Sequence, residues 1–135
     1  MLVIACNSAT ALALDRIIAS THVPVVGVVE PGAQAAAKAT RNRKIIVIGT
    51  EATVRSHAYR KALEVRGLRA REQACPLLVP LVEEGWVEHS VTEQVARTYL
   101  NEAFADGFQD ADTLVLGCTH YPLLKQSCGE SYRGT

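Results

Sequence analysis

The sequence predicts an α/β fold, a mostly parallel sheet with flanking helices. Three observations carry this expectation. Short β-branched runs alternate with helical stretches along the chain, the order that builds βαβ units. Two of the runs, at 45–48 and 113–116, are apolar without interruption, as strands covered on both faces are. The clearest run, Lys44-Ile-Ile-Val-Ile48, ends at Gly49-Thr50, a turn that opens a helix.

Residues 2–5 (Leu-Val-Ile-Ala) read as a short buried strand. Residues 8–19 read as a helix, with Ala9, Leu12, Ala13 and Ile17 on a broad apolar face. Residues 23–29 form a β-branched run with Pro24 near its start, where a strand tolerates proline. Glu30-Pro31-Gly32 is a breaker, and the alanine-rich stretch 33–40 is helical. After the 44–48 strand, Thr50 caps a helix over 51–65 that stops at Gly67. The polar run 68–74 suits a sheet edge. A short helix over 76–84 closes at Gly85, and an amphipathic helix over 91–108 carries Val91, Val95, Tyr99 and Phe104. The last strand, 113–116, runs into Gly117-Cys118-Thr119-His120-Tyr121-Pro122.

Composition narrows the function classes. The 135 residues suit one core, and 48% apolar with 21% charged residues is ordinary for a globular chain. Fourteen basic residues balance fourteen acidic ones, so no broad attraction to nucleic acid or to a membrane surface is expected. No apolar run reaches the roughly 18 residues of a membrane span. The apolar start Met1-Leu2-Val3-Ile4 lacks a basic leader and does not read as a signal peptide. Cys6, Cys75, Cys118 and Cys128 form no C-x-x-C pair, so reduced thiols in a cytoplasmic protein are expected rather than a disulfide framework.

Two of these thiols stand out. Leu2-Val-Ile-Ala-Cys6-Asn7-Ser8 and Leu114-Val-Leu-Gly-Cys118-Thr119-His120 are both an apolar strand followed by cysteine and two polar residues. In open α/β sheets ligands bind just beyond the carboxyl ends of the strands, which is where both cysteines fall. A helix N-terminus there favours a thiolate. One cysteine at a strand end is more often a small core residue than a nucleophile. Two in matched contexts balance that reading, whereas Cys75 and Cys128 lack the context and read as structural. His120 either satisfies a cap or tunes Cys118 as a proton shuttle. A zinc site from Cys6, Cys118 and His120 matches no common structural spacing. Gly49-Thr50-Glu51-Ala52-Thr53 reads as a capping turn rather than a phosphate loop. Of Glu83 and Glu84, one is a candidate proton carrier. His22, His57 and His89 read as surface or structural residues.

Ala5-Cys6-Asn7-Ser8-Ala9-Thr10-Ala11 resembles the first cysteine motif of the bacterial glutamate racemases, and Gly117-Cys118-Thr119-His120-Tyr121-Pro122-Leu123-Leu124 is similar to their second. Val28-Val29-Glu30-Pro31-Gly32, residues 48–54 and residues 75–85 are also similar and in family order. The likeness covers residues 2 to 125. It implies a cofactor-independent, metal-free isomerase that interconverts L- and D-glutamate and supplies D-glutamate for peptidoglycan. Carried over position by position, Cys6 and Cys118 are the two acid/bases. Asn7, Ser8, Thr119 and His120 bind substrate, His120 also assists Cys118, and Glu83 or Glu84 is an assisting carboxylate. Ser8 stands where threonine is usual and keeps the hydroxyl.

The likeness also sets expectations about organisation. The family protein is roughly twice as long, and its N-terminal Asp-Ser motif and Tyr-Gly loop have no counterpart here. Residues 1–22 then read as a cysteine strand-loop-helix left from the other α/β domain, and 23–125 as one of the two α/β domains. The tail 126–135 reads as frayed and Met1 as an internal methionine of a longer gene. The expected partners are glutamate and a second copy of the chain in a homodimer. The alternatives are a related aspartate or hydantoin racemase, or a non-catalytic domain that self-associates.

Overall fold

The computed structural model describes residues 1–125. The tail expected at 126–135, with Cys128, lies outside the described residues. The first elements are β1 (Leu2–Ile4), α1 (Asn7–Ser20) and β2 (Val25–Gly27), and β1 and β2 pair in parallel. Then follow α2 (Val29–Ala39), β3 (Lys44–Gly49), α3 (Glu51–Ser56), α4 (Ala58–Glu64) and β4 (Arg69–Ala74). The chain continues through α5 (Leu78–Glu83), α6 (Ser90–Ala103) and β5 (Thr113–Gly117) to a 3₁₀ turn at Tyr121–Leu124. The second sheet has the order β4-β3-β5, and every pairing is parallel. The fold is thus the expected parallel α/β architecture, with its strands in two sheets. β2 pairs with β1, so the smaller sheet draws on residues either side of position 22.

β3 is the centre of the larger sheet and explains its own composition. Ile46 and Ile48 face a core shared with Leu78, Ala96, Leu100 and Tyr121, while Ile45 and Val47 face Ala33, Tyr59 and Leu63. Alternate side chains of a strand point to opposite faces, so a strand with helices on both sides needs an apolar residue at every position. The polar run of β4 sits at the sheet edge, as its composition requires. β5 is the other edge, and its apolar residues Leu114, Val115 and Leu116 are only half-buried rather than covered on both faces.

Three helices depart from the sequence expectation. The single helix expected over 51–65 is two, broken at His57, whose φ of 53° puts a non-glycine residue in the left-handed region. The break is held by its side chain, since His57 Nδ1 lies 2.8 Å from the buried Glu72 carboxylate on β4. Helix α2 begins at Val29, earlier than expected, because Pro31 fits the first turn, where no intrahelical N–H bond is lost. Helix α6 ends at Ala103 rather than 108, and a turn at Asp106-Gly107, both with positive φ, leads to β5.

The sheet register levels the strand ends around the site. Gly49 is aligned with Ala74 on one side and Gly117 on the other, so Thr50, Cys75 and Cys118 emerge together at one edge. Gly117 must be glycine, since a Cβ there would lie 2.8 Å from the Ile48 carbonyl oxygen. In the smaller sheet the buried Thr10 hydroxyl donates to the Ile4 carbonyl at 3.1 Å and accepts from the Val28 amide at 3.3 Å. One side chain thereby ties the ends of β1 and β2 to α1.

Ile46 is fully buried. Ile46→Ala therefore removes packing at the sheet centre and should cost about 2–5 kcal/mol of stability. Urea unfolding monitored by circular dichroism checks this, and a cost below 1 kcal/mol would mean that the β3 core tolerates a void.

Candidate active site

Cys6 is the N-cap residue of α1, with extended backbone angles, and it is exposed. Cys118 directly follows β5 and is buried. The 3₁₀ turn behind Cys118 is anchored by Tyr121, whose ring is fully buried and whose hydroxyl donates to the Cys75 carbonyl at 3.0 Å. The buried Cys75 belongs to the core around Ile46 and Leu78, consistent with a structural role.

The electrostatics of Cys118 brings the two thiols together. Burial pushes its pKa up, while the backbone N–H groups of His120, Tyr121 and Thr119 oppose that by hydrogen bonding to the sulfur. A charge on Cys6 raises it further. Burial is the largest of these effects, and the influence of Cys6 is the smaller one. The pair holds one negative charge more easily than two.

His120 and Glu83 extend this arrangement. The Cys118 Sγ and His120 Nδ1 are 3.7 Å apart, and His120 Nε2 is 3.3 Å from Glu83 Oε1. A neutral ring that donates Nε2–H to Glu83 presents a lone pair at Nδ1 to the thiol. Glu83, at the end of α5, is thus the carboxylate that meets His120. Glu84 is the exposed residue that caps the same helix. Thr119 is exposed beside Cys118.

Asn7 and Ser8 are tied into the larger sheet's loops. The buried Asn7 accepts at Oδ1 from the Tyr59 hydroxyl at 2.6 Å. The Ser8 hydroxyl lies 2.7 Å from that of Thr50 and 3.1 Å from that of Thr53. Thr50 caps α3 by accepting from the Thr53 amide, so Gly49-Thr50-Glu51-Ala52-Thr53 is the expected capping turn, with hydroxyls turned to the first cysteine loop. Three residues near the site carried no sequence signal of a place there. Tyr59 looks like any core aromatic on a helix, and the Thr50–Thr53 pair looks like a cap alone. His89 caps α6 through Nδ1, which accepts from the Val91 amide at 3.1 Å, and His57 holds the α3–α4 break. Among the described residues no three His, Cys, Asp or Glu side chains converge as a metal site, and Cys6, Cys118 and His120 do not form one. No helix among them is long and apolar enough to cross a membrane.

The profile of the Asp/Glu/hydantoin racemase family matches residues 1–133. The chain belongs to this family. A glutamate racemase of Koribacter versatilis is 63% identical, over 92% of this chain and 43% of that protein. One of Geobacter metallireducens is 51% identical, over 97% of this chain and 48% of that protein. Among solved structures, a Bacillus anthracis glutamate racemase isoform superposes with a TM-score of 0.89 at 40% identity, covering 97% of this chain and 49% of that one. A Francisella tularensis glutamate racemase in complex with D-glutamate gives 0.87 at 32% identity, with 97% and 49% covered. The chain thus spans about half the length of the relatives it matches.

The thiol coupling has a direct test. The pH–rate profile of Cys118 alkylation by iodoacetamide should have its midpoint above that of an unperturbed thiol, and Cys6→Ala should bring that midpoint down by removing the like charge. Mass-spectrometric rates per cysteine measure both. An unchanged midpoint in the variant would show that the two sulfurs do not interact.

Proposed function

We propose that this chain carries the two-thiol site of a cofactor-independent glutamate racemase. The observation that supports it most is the matched placement of Cys6 and Cys118, each following a strand and preceding a helical turn, with Asn7 and Ser8 of the first loop hydrogen-bonded to the larger sheet's helices and loops. Inversion of an α-carbon needs a base on one face and an acid on the other. With one charge between two sulfurs, one thiolate removes the α-proton while the opposite thiol delivers its own. The reverse reaction exchanges the roles. Cys6 and Cys118 are the two acid/bases in this reading, with Cys6 carried by residues 1–22 and Cys118 by residues 23–125. His120 and Glu83 serve Cys118 as a proton relay, and Asn7, Ser8, Thr119 and His120 hold the substrate.

Glutamate is favoured over aspartate or a hydantoin because the close relatives are glutamate racemases. The same reading places the protein in the cytoplasm and its product, D-glutamate, in peptidoglycan synthesis. It also includes a homodimer. Leu2, Val3 and Val26 are exposed on the two-stranded sheet, and parallel strands are ordinarily covered. The same apolar face supports a second reading, a non-catalytic domain that self-associates, in which the chain alone turns over little or nothing.

A D-glutamate-coupled assay with light scattering on the same sample separates these readings. Racemisation confined to a dimeric fraction favours a site completed across chains. Self-association with no racemisation in any fraction favours the non-catalytic reading. In an active form, Cys6→Ala or Cys118→Ala should lower racemisation by at least about a hundredfold, the usual scale for a lost acid/base group. In deuterated water both enantiomers should exchange their α-hydrogen, and near-normal turnover in either variant would refute the two-thiol mechanism.

A further inference from the structure

We propose that Tyr59 is the positioning residue of the site, setting the Cys6 loop against the Cys118 loop; the proposal rests on the two-thiol reading above. Tyr59 is the second residue of α4 and is only 3% exposed. Its hydroxyl donates to Oδ1 of Asn7, the residue after Cys6, at 2.6 Å. Its ring edge reaches the residue before the other cysteine, since a Cβ placed on Gly117 would lie 3.4 Å from Cε2. On the opposite side the ring rests on Gly32 of α2, where a Cβ would lie 3.0 Å from the hydroxyl. One rigid side chain therefore touches the neighbours of both thiols, and two glycines leave the room it needs.

Three features suit Tyr59 to hold rather than to react. Burial raises its pKa to about 12, so the hydroxyl keeps its proton at neutral pH and donates. A donor at Oδ1 fixes the Asn7 amide and leaves its N–H₂ as the side that faces other partners. The chain enters α4 through the left-handed turn at His57, held by Glu72, which sets the direction from which the ring arrives. Cys6, the N-cap residue of α1, directly precedes Asn7, so fixing the Asn7 side chain fixes the start of the helix that carries Cys6.

The test compares the two cysteines in the chain as it stands. Tyr59→Phe keeps the ring against Gly32 and Gly117 and deletes only the hydroxyl. Alkylation of Cys6 near neutral pH should slow by about fivefold, the effect of one net hydrogen bond. Its pH–rate profile should change, without a parallel change in that of Cys118. Gly32→Ala, which crowds the hydroxyl from the other side, should reproduce the Cys6 change and guards against a folding defect peculiar to Tyr59→Phe. Unmoved Cys6 profiles in both variants overturn the proposal. So do profiles of Cys6 and Cys118 that shift together with a lowered Tm, because a merely structural tyrosine would act on both. The racemase reading fails separately. Absence of α-hydrogen exchange in wild-type protein at every oligomeric state sinks that reading, while the alkylation comparison still decides the role of Tyr59.

Discussion

Everything at the site hangs on the burial of β3 on both faces. A central parallel strand with helices above and below has no solvent side, so residues 45–48 are apolar at every position and their register with β4 and β5 is fixed by packing. Because the three strands end level at Gly49, Ala74 and Gly117, the loops that follow leave from one edge. Cys118 inherits a rigid position from this frame. The buried Tyr121 and Leu124 close the frame behind it.

Cys6 inherits much less. Its strand belongs to a two-stranded sheet, and its hold on the larger sheet runs through side chains, Asn7 to Tyr59 and Ser8 to Thr50 and Thr53. The site thus joins a thiol built on the three-stranded sheet to one suspended by hydrogen bonds. That asymmetry agrees with their environments, Cys118 buried and Cys6 exposed. Two thiols on such different supports are held in place by a handful of polar contacts, each worth about 1 kcal/mol.

How much of this is legible in the sequence depends on whether the signal is local. The apolar runs at 45–48 and 113–116, the cap at Thr50 and the polar edge strand are local, and the structure has all of them. The two cysteine motifs are local as well, each a strand followed by Cys and two polar residues. The break at His57 is not. A left-handed histidine is held by Glu72, 15 residues away on a neighbouring strand, and nothing in residues 51–65 announces it. The choice between Glu83 and Glu84 is set by which of the two neighbouring side chains points toward His120, a tertiary fact. The Tyr59–Asn7 bond spans 52 residues, and a tyrosine at a helix start reads as ordinary core. The split into two sheets is likewise invisible, because β1 and β2 read as strands whichever sheet they join.

The small β1–β2 sheet has a dynamic consequence. Parallel pairs of two short strands are marginal in isolation, and here Leu2, Val3 and Val26 stay in contact with solvent. Opening of this piece exposes little that is not already wet, so its local unfolding free energy is far below that of the β4-β3-β5 core. Amide protons of residues 2–4 and 25–27 would then exchange long before those of 45–48, as a separate cooperative unit. The placement of Cys6 would follow the breathing of that unit, while Cys118 would stay with the larger sheet.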